Sequence, residues 1–175
     1  QPVEFSVRVD PPANARGAYF VGVVVEEPRP EGATGITVRT RFLIPLIVQI
    51  QGRSVRQQIA ASDVIMTYAP GESGELTTSA FVEVSNNGLS YSRLAGSIRV
   101  DRKDGDKWRA VTRFDLVERS IIPGVTLKLG KDLERRLPWG TYRLHAELLV
   151  DGRRISPVEK EILFEGDAEA TLAYD

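Results

Sequence analysis

ITVRTRFLIPLIVQI, residues Ile36–Ile50, starts as a two-faced strand and ends apolar on both sides. With the period-two alternation of a strand, Ile36, Val38, Thr40, Phe42, Ile44, Leu46, Val48 and Ile50 share one face. Thr37, Arg39, Arg41, Leu43, Pro45 and Ile47 share the other. Burying one large aliphatic side chain is worth roughly 1.5–3 kcal/mol, so leaving several in water forfeits about as much as a whole domain's stability. The sequence therefore predicts that something covers Phe42 to Val48.

Upstream, Val3, Phe5, Val7 and Val9 alternate with polar residues and read as a half-buried strand, ended by Pro11-Pro12 and turn residues from Asn14 to Gly17. Ala18 to Glu26 reads as a second strand, with Gly22 allowing a bulge or a close neighbour. The proline- and glycine-rich loop from Pro28 to Gly35 leads into the opening stretch. Residues 1–50 thus predict a three-stranded portion of a sandwich, too small to be stable alone.

Downstream, Gln51 to Arg56 is polar and reads as a linker. Residues 57–165 then show strands separated by turns about every 8–12 residues, the pattern of an antiparallel β-sandwich of immunoglobulin type. The expected strands are Ile59–Tyr68, Leu76–Val84, Leu94–Val100, Trp108–Val117, Val125–Leu129, Thr141–Val150 and Arg154–Phe164, seven in all. Asn86-Asn87-Gly88, Asp104-Gly105, Pro123-Gly124 and Asp151-Gly152 supply the turns. Lys131 to Leu137 reads as one helical turn stopped by Pro138, and residues 166–175 as a loose acidic tail. The expected fold class is all-β: an immunoglobulin-like β-sandwich preceded by a three-stranded partial sandwich.

Composition narrows the chemistry. Of 175 residues, 42% are hydrophobic and 27% charged, and 23 Lys and Arg against 24 Asp and Glu leave a net charge of −1. That balance supplies no electrostatic reason for a nucleic-acid or anionic-membrane partner. No apolar run approaches the 18 or so residues of a spanning helix. Cysteine is absent, which removes disulfide and thiol chemistry. The chain opens on Gln1 without Met and reads as a processed or excised piece, consistent with removal of a signal peptide.

The residue types that carry catalysis are sparse, and no enzyme is expected. His145, the one histidine, falls on the outward side of its strand beside Arg143 and Glu147 and reads as a solvated residue. Asp101, Asp104 and Asp106 flank Gly105 without calcium-loop spacing and read as a hairpin turn. Glu26, Glu27 and Glu31 read as solvated loop charges. Trp108, Trp139, Tyr91 and Tyr68 read as core or inter-sheet packing rather than a ligand platform. Tyr142, just after Gly140, has the position of a sandwich-corner tyrosine. No metal or cofactor is called for.

GAYFVGVVVEEP (residues 17–28) followed by ITVRTRFLIPLIV (36–48) resembles the last two strands of the first domain in periplasmic pilus-assembly chaperones and their relatives. VEVSNNGLSYSRLAGSIRV (82–100) and LPWGTYRLHAELLVDG (137–152) resemble the second domain of the same chaperone-like envelope proteins. The resemblance implies a non-enzymatic, periplasmic or extracellular module of the bacterial envelope, binding protein partners by β-strand addition in fimbrial biogenesis or surface attachment. It also implies a basic pair that anchors a subunit's terminal carboxylate. One partner of that pair, an arginine on the family's first strand, has no counterpart here. The other, a lysine just after the final-strand arginine that Arg41 resembles, is matched by Leu43, which leaves Arg39 and Arg41 as the substitutes. The expected partner-binding residues are Arg39, Arg41, Phe42, Leu43, Ile44, Leu46 and Ile47, with a protein partner or a second copy pairing along the edge of strand 36–50. The alternative is an accessory β-sandwich, carbohydrate-binding or a spacer, of a secreted multidomain enzyme.

Overall fold

A computed structural model describes residues 4–26, 40–50, 57–70 and 74–165. The expectations for the linker 51–56, the tail 166–175, and Arg39, Glu27 and Glu31 lie outside the described residues. The chain divides into two compact units, Gln1–Val55 and Arg56–Asp175. Strands account for all the regular structure described, as the alternating patterns require.

The first unit is built on a two-stranded antiparallel sheet, β1 (Gly17–Glu26) and β2 (Arg41–Ile50). Its register runs without a shift from Gly17 opposite Ile50 to Glu26 opposite Arg41. The strand expected over residues 3–9 does not form: residues 4–10 join no ladder, and Phe5, Val7 and Val9 are exposed. Pro11 and Pro12 have no N–H to offer a ladder at the point where a hairpin back from β1 would begin. A turn closed by Ala15 N–H donating to Pro12 O (2.8 Å) lies there instead. Among the described residues the unit therefore has two strands, not three.

The second unit is a sandwich. One sheet has the order β3-β4-β7 (Ile59–Pro70, Leu76–Asn86, Thr126–Asp132). The other runs β10-β8-β5-β6 (Val158–Phe164, Gly140–Val150, Ser92–Asp104, Lys107–Ile121), with the short β9 (Arg153–Arg154) against β8. An immunoglobulin constant-type sandwich carries its fourth strand in the sheet of the first two. Here the fourth, β6, pairs with β5 in the other sheet.

Alternation fills the space between the sheets. In β8 the buried residues are Tyr142, Leu144, Ala146, Leu148 and Val150, every second side chain. They meet Val64, Ala80, Val82 and Val84 from the facing sheet, with Leu94, Ile98 and Val100 from β5. Tyr142 donates its hydroxyl to Pro138 O (2.8 Å) at the entrance to β8, the bond expected of a sandwich-corner tyrosine. Two glycines are required by close approach: a Cβ on Gly130 would sit 2.0 Å from Ala80 O, and one on Gly96 2.2 Å from Glu147 O.

Two local expectations are corrected. Residues 131–137 form no helical turn. β7 continues through Asp132, and Glu134 takes φ 58°, which breaks a right-handed helix. Thr78 holds this segment from the neighbouring strand. Its carbonyl accepts from Leu133 N–H, its N–H donates to Arg135 O, and its hydroxyl accepts from Leu137 N–H. The last expected strand, Arg154–Phe164, is two pieces, because Pro157 lies between β9 and β10 and cannot donate to a ladder.

Candidate interaction surface

The hairpin of the first unit presents apolar side chains on both faces. Its register places Tyr19, Val21, Val23 and Val25 beside Val48, Leu46, Ile44 and Phe42 on one face. Phe20 and Val24 lie beside Ile47 and Leu43 on the other, with Gly22 opposite Pro45. Of the residues expected to bind a partner, Phe42 is 62% and Leu43 69% exposed; Ile44 and Ile47 are also exposed and Leu46 half-buried. The cover that hydropathy demands for Phe42 to Val48 is not supplied in full by the described residues. Part of one face is lined by Val7, Val9, Pro11 and Pro12, leaving a cavity of about 300 Å³ against Tyr19 and Leu46. On the other face Leu43 leans over Gly22, its Cδ1 2.9 Å from where a Cβ would be.

Arg41 is occupied. Its Nε lies 3.1 Å from Glu26 Oε2 and its Nη2 3.3 Å from Glu26 Oε1, a two-pronged ion pair across the far end of the hairpin. Arg39, the other half of the expected basic pair, lies outside the described residues.

The remaining candidates fall in the sandwich. His145 faces outward from β8, half-buried, its Nδ1 3.0 Å from Glu159 Oε2 and its Nε2 3.8 Å from Glu147 Oε1. The acidic trio divides. Asp104 pairs with Arg109 (2.8 Å) beside the β5–β6 turn at Gly105, where the hairpin reading holds. Asp101 is not part of that turn: it is buried within β5, accepting from Arg99 Nε (2.8 Å) and Arg143 Nη2 (3.1 Å). Among the described residues no group of His, Asp and Glu converges as a metal site would require.

Nor do the four aromatic rings share one fate. Tyr68 packs on Phe164 (5.2 Å between ring centres) and donates its hydroxyl to Leu137 O (2.9 Å), as core packing predicts. Tyr91 is half-buried, its hydroxyl bonded to Ser120 Oγ. Trp108 lies under the Arg143 guanidinium (4.6 Å), with Lys103 Nζ 6.0 Å from the same ring. Trp139 is 55% exposed, against expectation: its loop is fixed through Pro138 and Leu137, which point its own ring outward. The Arg99–Asp101–Arg143–Trp108 constellation was not anticipated. Arg143 lies directly opposite Asp101 in the unshifted β5–β8 register. A bulge in the β5–β6 register between Val100 and Asp101, which no residue pattern announces, sets Trp108 opposite Lys103 on the same face.

Compared with models of known protein families the chain matches none, and no curated protein is significantly similar to it.

Proposed function

We propose that the chain is a non-enzymatic protein-binding module that engages partners by β-strand addition at the β1–β2 hairpin. The observation that carries this reading is the hairpin itself. A lone two-stranded ribbon is marginal in water, yet this one exposes Phe20, Val24, Leu43 and Ile47 on one face and Phe42 and Ile44 on the other. Contiguous apolar surface of this kind marks an interaction site. An added strand supplies main-chain hydrogen bonds for affinity and alternating side chains for specificity. A chaperone-like role in fimbrial biogenesis or surface attachment, in the periplasm or outside the cell, draws its support from the sequence resemblance alone.

Titrating the chain with extended peptides of alternating apolar residues tests the reading. Binding, accompanied by changes at β1 and β2 in amide spectra, is the expected result. Failure of every such peptide, with glycans binding instead, would overturn it. That second outcome would favour the accessory-module alternative, for which the exposed Trp139 ring is the supporting observation.

A further inference from the structure

Of the chain's three asparagines, Asn87 is the one followed by glycine. That dipeptide is chemically labile in a free chain. The nitrogen of the glycine, once its proton has passed to solvent, attacks the asparagine Cγ. The bond from Cγ to the side-chain nitrogen breaks, ammonia leaves, and a five-membered imide closes. Water then opens the imide at Cγ to give aspartate, or at the main-chain carbonyl to give isoaspartate; no electrons change hands. Glycine hastens the closure because no side chain crowds its nitrogen. Asn87 is exposed, in the turn between β4 and β5, where its sequence alone marks it for this reaction.

The fold holds the participating groups away from it. Gly88 is buried and its N–H donates to Asn86 Oδ1 (3.0 Å), so the proton that must leave is engaged and screened from solvent. Asn86 is itself fixed. Its Nδ2 donates to Ser90 O (2.8 Å) and Ile121 O (3.3 Å), which keeps Oδ1 aimed at Gly88. Its main chain is tied to the segment before β7, the N–H donating to Val125 O (3.0 Å) and the carbonyl accepting from Gly124 N–H (2.8 Å). Asn87 N–H donates to Gln58 O (2.8 Å), which fixes the residue that carries the labile amide. Closing the imide requires Gly88 N to turn toward Cγ, and that turn breaks its bond to Asn86.

We propose that Asn87 is a latent deamidation site that Asn86 keeps closed in the folded sandwich, its rate following the fraction of time the β4–β5 turn stands open. The modification is one-way. Aspartate at this position brings a negative charge. Isoaspartate lengthens the main chain by a methylene, which displaces Gly88 N from Asn86 Oδ1, so a turn modified in that way does not close as before. The site lies wholly in the sandwich and is independent of strand addition at the hairpin.

The test is to incubate the chain in mildly alkaline buffer, folded or unfolded in urea, and to follow conversion of amide to acid at Asn87 by peptide mass spectrometry. The folded chain is expected to convert at least about tenfold more slowly, the change in rate that one buried hydrogen bond supports. The Gly88 amide proton is expected to exchange slowly in the same folded chain. Asn86→Ala removes the acceptor and should speed conversion about tenfold in a chain that circular dichroism shows to be folded. Equal rates in the folded and unfolded parent overturn the proposal. So does rapid exchange at Gly88, or a folded Asn86→Ala that converts no faster than the parent. The parent comparison needs no variant and decides by itself should Asn86→Ala fail to fold.

Discussion

Alternation in β8 sends Tyr142, Leu144, Ala146, Leu148 and Val150 into a core and leaves Arg143, His145 and Glu147 to the outer face. In β2 the same period sends Phe42 and Ile44 one way and Leu43 and Ile47 the other, and all four are exposed. The edges differ as sharply. The sandwich guards its outer strands: β6 carries Lys107, Arg109, Arg113, Asp115, Glu118 and Arg119, with two register shifts against β5. β10 carries Glu159, Lys160 and Glu161, and β3 has a register shift at Ala61 and Asp63. These are the devices by which folded sheets avoid unwanted pairing. β1 has none of them between Gly17 and Val25. Among the described residues, the outer strands of one unit carry such devices and β1 of the other does not.

The largest expected effect lies in the sandwich. Leu144→Ala removes a fully buried side chain from the middle of the core and should cost about 2–5 kcal/mol in urea unfolding. Tyr142→Phe leaves the buried Pro138 carbonyl without its hydroxyl donor and should cost about 1–3 kcal/mol, read the same way.

A smaller effect joins the two sheets. Lys160 Nζ on β10 holds both carboxylate oxygens of Asp63 on β3, at 2.8 and 2.9 Å. That bond, with a lesser contribution from Val64 N–H and against a small opposing effect of burial, keeps the Asp63 carboxyl below its ordinary value. A carboxylate depressed in the folded state stabilises above its unfolded value, and the stabilisation is lost as pH falls through the folded one. Asp63→Asn should therefore cost less than about 1 kcal/mol at neutral pH, given solvent screening of an exposed pair. The difference from the parent should vanish in strongly acid solution; a difference that persists there would assign the effect to packing instead.

The smallest effect is the sharpest test of the contrast. Leu43→Ala, at a side chain 69% exposed, should change sandwich stability by no more than about 0.5 kcal/mol. A loss comparable to that of Leu144→Ala would mean that the hairpin is as closed as the core, and the comparison would fail.

The sandwich was legible because its turns are written in residues that few other structures tolerate. Asp151 and Gly152 both take positive φ between β8 and β9, and Asn86 closes the turn after β4 by accepting from Gly88 N–H (3.0 Å). What misled was local pattern that tertiary contacts overrode. Val3 to Val9 alternates well but has no ladder to join, and Lys131 to Leu137 has helical composition but is held by Thr78. Apolar excess in residues 42–47 was plain in the sequence. The pairing of Arg41 with Glu26 was not, because it depends on the register of a hairpin whose strands lie fifteen residues apart. Asp101 was hidden by the same kind of non-local fact.

Both tryptophans, Trp108 and Trp139, belong to the sandwich, and the hairpin has none. One indole is stacked under a guanidinium and the other stands largely in solvent. Intrinsic tryptophan emission consequently follows the melting of only one of the two units. The ribbon that carries the proposed recognition could fray, pair or dissociate while that signal held constant, and its behaviour must be followed through amide resonances or the Tyr19 ring.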